Sequence, residues 1–368
     1  MKKRYAPAAL LTAALILSIL SYVHFDNLVP PDLRGPISLG KAAETYLAMP
    51  EGRRGSVRCP SDRKLLAALA RCRRFSPLGL AFAQDRFVPE EEMQFAAIAV
   101  LLEDGSAFLS FRGTDATLVG WKEDFNLSYK PVIPSQRSAL AYVSGVSSAT
   151  QSPLILGGHS KGGKLAQYAA LCTDESTYQR IVAVYDHDGP SFLEDPSPRR
   201  TTADYDCKLH KLVPESSAFG MILERRDDYR VVQSSASAIF QHHPFSWIVN
   251  GDDFVYQEDL NASAQFFDEA LDTWLRSKTP AERERFIQTI YDLIMQTNAT
   301  SWAEFQTRLG ANVATVMGAG SKLDSDTKQF LASTLRSLGA TLKNQTIARI
   351  KDAGNGLLQN DSRKRNNQ

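Results

Sequence analysis

The chain predicts an α/β fold in which a mostly parallel sheet carries helices on both faces. Three observations predict it. Short apolar runs alternate with helix-like segments through the middle of the chain. One of these runs ends in a glycine-rich turn and leads directly into an alanine-rich helical stretch. The chain has 368 residues, 43% hydrophobic and 23% charged, enough to bury one large core with a smaller appendage. A net charge of +1 without a basic stripe leaves no footprint for nucleic acid.

Residues 1–25 stand apart from that body. Lys2, Lys3 and Arg4 precede an apolar stretch from Ala6 to Val23, long enough to cross a ~30 Å hydrocarbon core as a helix. The segment reads as a signal anchor or a signal peptide. The anchor is preferred, because the stretch exceeds the about 7–15 apolar residues of signal peptides and the cleavage site at Ile19 to Ser21 is poor. In both cases the basic end stays inside. The body is then membrane-anchored and extracytoplasmic, or secreted if the segment is cleaved. A core helix is set aside, since the stretch has no charged face.

Cys59, Cys72, Cys172 and Cys207 form an even set. Outside a membrane they make up to two disulfides, with Cys59 and Cys72 as the local pair; buried, unbridged thiols are the other reading. There is no C-x-x-C pair and no histidine at ligand spacing, so neither a metal nor a cofactor is expected.

Val29 to Gly35, with two prolines and a glycine, reads as a linker. Residues 40–84 are mixed and partly helical, most clearly from Lys64 to Arg71. Gln94 to Leu102, a turn at Glu103 to Gly105, and Ala107 to Phe111 form a β-hairpin. A helix-like stretch to Asn126 and a helix from Pro134 to Ser148 precede the strand that begins at Leu154. Further strands are expected over Ile181 to Tyr185, Lys208 to Val213 and Tyr229 to Gln233. Residues 26–255 thus form the sheet-containing core, and 256–368 a C-terminal helical region. There, Thr279 with Glu282 and Ser301 with Glu304 are capping boxes, and Phe286, Ile290, Leu293 and Ile294 share a face that packs on the body.

The glycine-rich turn carries chemistry. Ser160 sits between Gly158 and Gly162 at a strand-to-helix junction, the layout of a nucleophilic serine on a strained elbow. The sharp turn leaves no room for side chains beside it, which accounts for both glycines. The base lies downstream in this architecture, where His187, His210, His242 and His243 occur. His187 and His210 fall on or beside strands. His242 is preferred to His243, because a residue before proline is restricted. The acid that orients the imidazole is Asp188 in the first reading, with Glu215 at the end of the next strand as rival and Asp186 third. The oxyanion needs two aimed donors: the backbone N–H of Lys161, and the loop at Gly113 and Thr114, whose hydroxyl can contribute. The insertion from Phe192 to Asp206 reads as a lid.

Several stretches together carry a resemblance. Phe111 to Asp115 with Val119 to Asn126, the elbow, Asp188 to Pro190, and Gln241–His242 with Ser246–Trp247 resemble the Mbeg-like α/β-hydrolase family of lipase-related bacterial proteins. The likeness runs from about residue 60 to 310. The pieces at Phe111 and at the elbow are also similar to class 3 lipases. That likeness implies Ser160 as nucleophile, Thr114 as oxyanion hydroxyl and His242 as base. Lys161 departs from it, since those lipases usually carry leucine there, and their acid lies near the position of Glu215. The resemblance implies an α/β-hydrolase-like serine esterase that cleaves lipid or small-molecule esters through a Ser-His-Asp triad outside the membrane. The alternative is a catalytically silent scaffold that binds a ligand or partner at the cell surface.

Overall fold

A computed structural model describes residues 8–343 apart from 26, 56, 225, 227 and 342. Its strands are β1 (Ile37–Ser38), β2 (Gly79–Val88), β3 (Met93–Leu101), β4 (Ala107–Phe111), β5 (Leu154–His159), β6 (Ile181–His187), β7 (Leu209–Pro214) and β8 (Tyr229–Val232). Three short strands follow: β9 (Val249–Asn250), β10 (Asp253–Phe254) and β11 (Tyr256–Gln257). The main sheet runs β1-β2-β3-β4-β5-β6-β7-β8-β11, and β9 pairs with β10. Neighbours from β4 to β8 are parallel; the pairs from β1 to β4, and β8 with β11, are antiparallel.

The helices are α1 (Ala8–Leu20), α2 (Leu39–Ala48), α3 (Pro60–Arg71), α4 (Leu118–Asn126), α5 (Pro134–Ala149), α6 (Lys161–Cys172), α7 (Glu175–Arg180) and α8 (Ala203–Lys208). Beyond the sheet come α9 (Ala262–Arg276), α10 (Pro280–Met295), α11 (Trp302–Thr307), α12 (Leu309–Ser321) and a helical stretch over 325–341. The pleat divides the sheet's side chains between two cores. Leu80, Ile98, Val100 and Phe108 pack with α1, α2 and α3. Phe95, Leu109, Phe111 and Leu156 pack with α5 and α6 on the opposite face. Both faces are therefore covered, as parallel strands require.

The structure gives no support to the reading of residues 1–25 as a membrane anchor, because α1 lies on the sheet. Residues 1–7 lie outside the described residues. The helix packs on β4, β5 and β6, with α3 and β10 beside it. Leu11, Leu15, Leu17, Ile19, Leu20, Val23 and Phe25 are all buried, each contributing about 1.5–3 kcal/mol. Its polar groups are paired within the fold: Ser110 Oγ donates to the Leu17 carbonyl at 2.7 Å, and His24 Nδ1 lies 2.7 Å from Asp85. No helix among the described residues is long and apolar enough to cross a membrane. A helix apolar all round suits a protein core as well as lipid, so the missing charged face did not discriminate.

Three smaller expectations also change. β2 was hidden because its outer half carries Gln84, Asp85 and Arg86 and its register shifts between Ala81 and Gln84. Cys59 and Cys72 flank the 12-residue helix α3, one at each end. At 1.5 Å per residue that is about 18 Å, far beyond the ~7 Å limit between Cα atoms of a disulfide, and all four cysteines are free thiols. The 192–206 segment is no lid. Phe192 and Tyr205 are buried against α6, where Tyr205 Oη donates to Gln167 at 3.1 Å, and neither borders the cavities at Ser160.

Candidate functional site

Ser160 stands between β5 and α6 with φ 59° and ψ −133°, a conformation that β-carbon sterics disfavour. Surrounding contacts hold it there. Its N–H donates to the His187 carbonyl at 2.9 Å, and its carbonyl accepts from Gly163 N at 2.9 Å. A Cβ on Gly158 would collide with the Gly162 backbone, and one on Gly162 with the Phe111 carbonyl. Both glycines are needed because strand, elbow and helix approach backbone to backbone.

His242 lies at the end of a short 3-10 turn in the segment after β8. Its Nδ1 is 2.6 Å from Asp188 Oδ2, and the aspartate side chain is fully buried while the imidazole is 20% exposed. Asp188, just past β6 at φ 58°, also accepts from Ser217 Oγ at 2.5 Å and from Gly220 N at 3.1 Å. Phe219 closes one side of the imidazole at 4.3 Å between ring centroids. Glu215 is brought elsewhere: it accepts from the Gln241 amide at 3.4 Å. Asp186 braces the turn, accepting from Gly189 N at 2.8 Å and Gln167 at 2.6 Å. Burial raises its carboxyl to about 6. His187 and His210 are buried on β6 and β7, and His243 Nε2 faces Cys59 Sγ at 3.3 Å.

Lys161 opens α6, so its backbone N–H is among the unpaired donors of the first turn. Its ammonium turns back to Glu123 at 2.7 Å, with both side chains shut off from solvent. Thr114 borders the cleft with Ser160, and its hydroxyl donates to Asp124. Burial raises Asp124 to about 6 against the opposing pull of Lys161 and the Thr114 hydroxyl.

Two spaces meet at Ser160. An apolar cavity of about 280 Å³ runs among Trp121, Phe125, Phe219 and Ile222 to Leu271, Trp274 and Phe286 of the C-terminal helices. An open cleft of about 810 Å³ is lined by Thr114, His159, His242, His243, Phe240 and Trp302. Asp124 borders both. Sequence reasoning missed Asp124, Ser217, Phe219 and the cavity-lining helices. It also left His159 without a role, although the residue stands inside the elbow motif.

The sheet order and the serine elbow define an α/β protein whose parallel strands carry a strand-to-helix serine turn. The chain belongs to the Mbeg1-like family, whose sequence model matches residues 69–292. Among solved structures it is similar to M37 lipase, at 16% identity and a TM-score of 0.35 over 59% of this chain and 70% of that one. It is also similar to Rhizomucor miehei lipase in its propeptide complex, at 12% identity and a TM-score of 0.36 over 63% and 71% of the two chains. Lip2 lipase from Yarrowia lipolytica matches at 13% identity and a TM-score of 0.29 over 62% and 87%. No curated protein matches the chain.

Proposed function

We propose that the protein is a serine hydrolase of carboxylic esters. The observation that carries this reading is the 2.6 Å contact of His242 Nδ1 with the buried Asp188, in a cleft that also holds the elbow serine. Ser160 Oγ attacks the ester carbonyl and His242 Nε2 takes its proton. Asp188 holds the imidazole in the productive tautomer and stabilises its cation. The Lys161 N–H meets the developing oxyanion, joined by the Thr114 hydroxyl when it turns its proton from Asp124 to that oxygen. His242 then protonates the departing alcohol, and water releases the acid by the reverse sequence. The apolar cavity beside Ser160 suits an acyl chain, and the wider cleft suits the alcohol portion.

A fluorophosphonate probe tests this. The wild type labels and Ser160→Ala does not; an unlabelled wild type supports the silent scaffold instead. Lys161, a reason for that alternative by sequence, directs its ammonium to Glu123 and leaves the N–H position intact. Extracytoplasmic placement is a separate proposal carried only by Lys2, Lys3 and Arg4 ahead of the apolar residues, and it requires that this stretch engage a membrane before α1 packs on the sheet. Fractionation of cells making the full chain tests it, and recovery in the cytosol removes it.

A further inference from the structure

We propose that the N-terminal segment is part of the catalytic site, with Tyr22 acting through His159 to position the catalytic base. The proposal rests on the reading of His242 as that base. Just beyond α1, Tyr22 is 1% exposed, and its hydroxyl lies 3.0 Å from His159 Nδ1. The other ring nitrogen of His159, Nε2, lies 2.8 Å from the backbone carbonyl of His242. A carbonyl only accepts, so Nε2 carries the proton and Nδ1 accepts from the tyrosine. This chain needs a neutral imidazole. Burial, followed by His242 and Arg58, holds the His159 pKa well below the usual range.

The arrangement is built into the elbow. His159 and His242 rings lie 4.6 Å apart, so a shift of one moves the other. Arg58 stacks 4.4 Å above the Tyr22 ring and places Nη1 at 3.4 Å from His159 Nδ1, a second and longer donor to the same atom. Gly113, in the oxyanion loop, passes so close that a Cβ there would strike the Tyr22 hydroxyl. The segment thus touches the base through His159 and the oxyanion loop through Gly113. His24 and Asp85 tie its far side to β2 at 2.7 Å. Tyr22 touches none of the reacting atoms; it is a positioning residue, and a protein cleaved after it would lose both contacts.

Three measurements test this in the full-length protein. In ¹⁵N spectra His159 is in the Nε2–H tautomer, held by the His242 carbonyl, and Tyr22→Phe moves the Nδ1 resonance downfield as that nitrogen loses its nearer donor; an unchanged Nδ1 shift overturns the proposal. This readout needs no turnover, so it stands even if the fluorophosphonate probe refutes the hydrolase reading. In ester hydrolysis, Tyr22→Phe lowers kcat roughly three- to tenfold with KM unchanged, the loss of one hydrogen bond. His159→Gln, which keeps a donor for the His242 carbonyl and an acceptor for Tyr22, retains more activity than His159→Leu, and adding Tyr22→Phe to His159→Leu costs less than about twofold. Fully additive losses overturn it. Finally, the intact mass of active protein from its source cells includes residues 8–25; full activity in a chain that begins after them overturns it.

Discussion

Lys161 Nζ lies 2.7 Å from Glu123 Oε2 in a pocket neither side chain leaves. The ammonium also donates to the Gln94 carbonyl at 2.9 Å and to Gln94 Oε1 at 3.2 Å. Glu123 accepts from Gln94 N at 3.1 Å, Ser135 N at 3.0 Å and Ser135 Oγ at 2.6 Å. The lysine thus ties the elbow to β3, α4 and α5. Lys161→Met leaves a buried carboxylate unpaired and should cost about 3–5 kcal/mol in denaturant unfolding. Adding Glu123→Gln should restore most of that loss; a single variant as stable as wild type would refute the account.

The choice between acids has a kinetic signature. Asp188→Asn should lower kcat by about four orders of magnitude, because the amide favours the wrong imidazole tautomer. Glu215→Gln should change kcat by less than about threefold, since the Glu215 carboxylate accepts from the Gln241 amide rather than from His242. The reverse order would reassign the triad.

Asp124 gives stability a pH dependence. Its folded pKa, about 6, exceeds the usual 3.8 because burial disfavours the charge. The folded state therefore binds the proton more tightly than the unfolded chain. The resulting stabilisation is full below about 4 and is lost as pH rises through about 6, on the order of 2–3 kcal/mol in all. Asp124→Asn removes this slope. Its stability relative to wild type should rise between pH 4 and pH 8, and a constant difference across that range would exclude the mechanism.

Cavity shape should set acyl length. Leu271 of α9 lines the apolar space together with Trp274 and Phe286. Leu271→Trp fills part of it and should abolish hydrolysis of octanoyl esters while acetyl esters still react. Some overpacking strain, about 1–3 kcal/mol, is expected in the melting curve. Equal losses on both esters would place the acyl chain elsewhere.

Much of the sheet was legible because its parallel strands are continuous apolar runs bounded by turn residues, as in β5 and β6. The elbow turn and the pairing of Asp188 with His242 were legible as geometry because chain order and turn chemistry constrain them. What stayed hidden depends on distant pairing. Asp124 looked like one more acid in an amphipathic helix, and nothing in its neighbourhood reveals the contact with Thr114. Ser217 and Phe219 sit in a turn whose meaning comes only from Asp188 across the sheet. The apolar run of α1 carries the same composition whether its surroundings are lipid or side chains. Only the unoccupied face of β4 to β6 decides between them.

The burial of α1 also sets a problem of order during synthesis. Tyr22 and His159 are 137 positions apart, so at about 5–20 residues per second the helix leaves the ribosome roughly 7–27 s before β5 is complete, and longer before β6. For that interval a strongly apolar helix has at most β4 of the three strands it finally lies on. The growing chain must therefore be shielded from aggregation, by chaperones or by transient contacts of its own, until β5 and β6 are made.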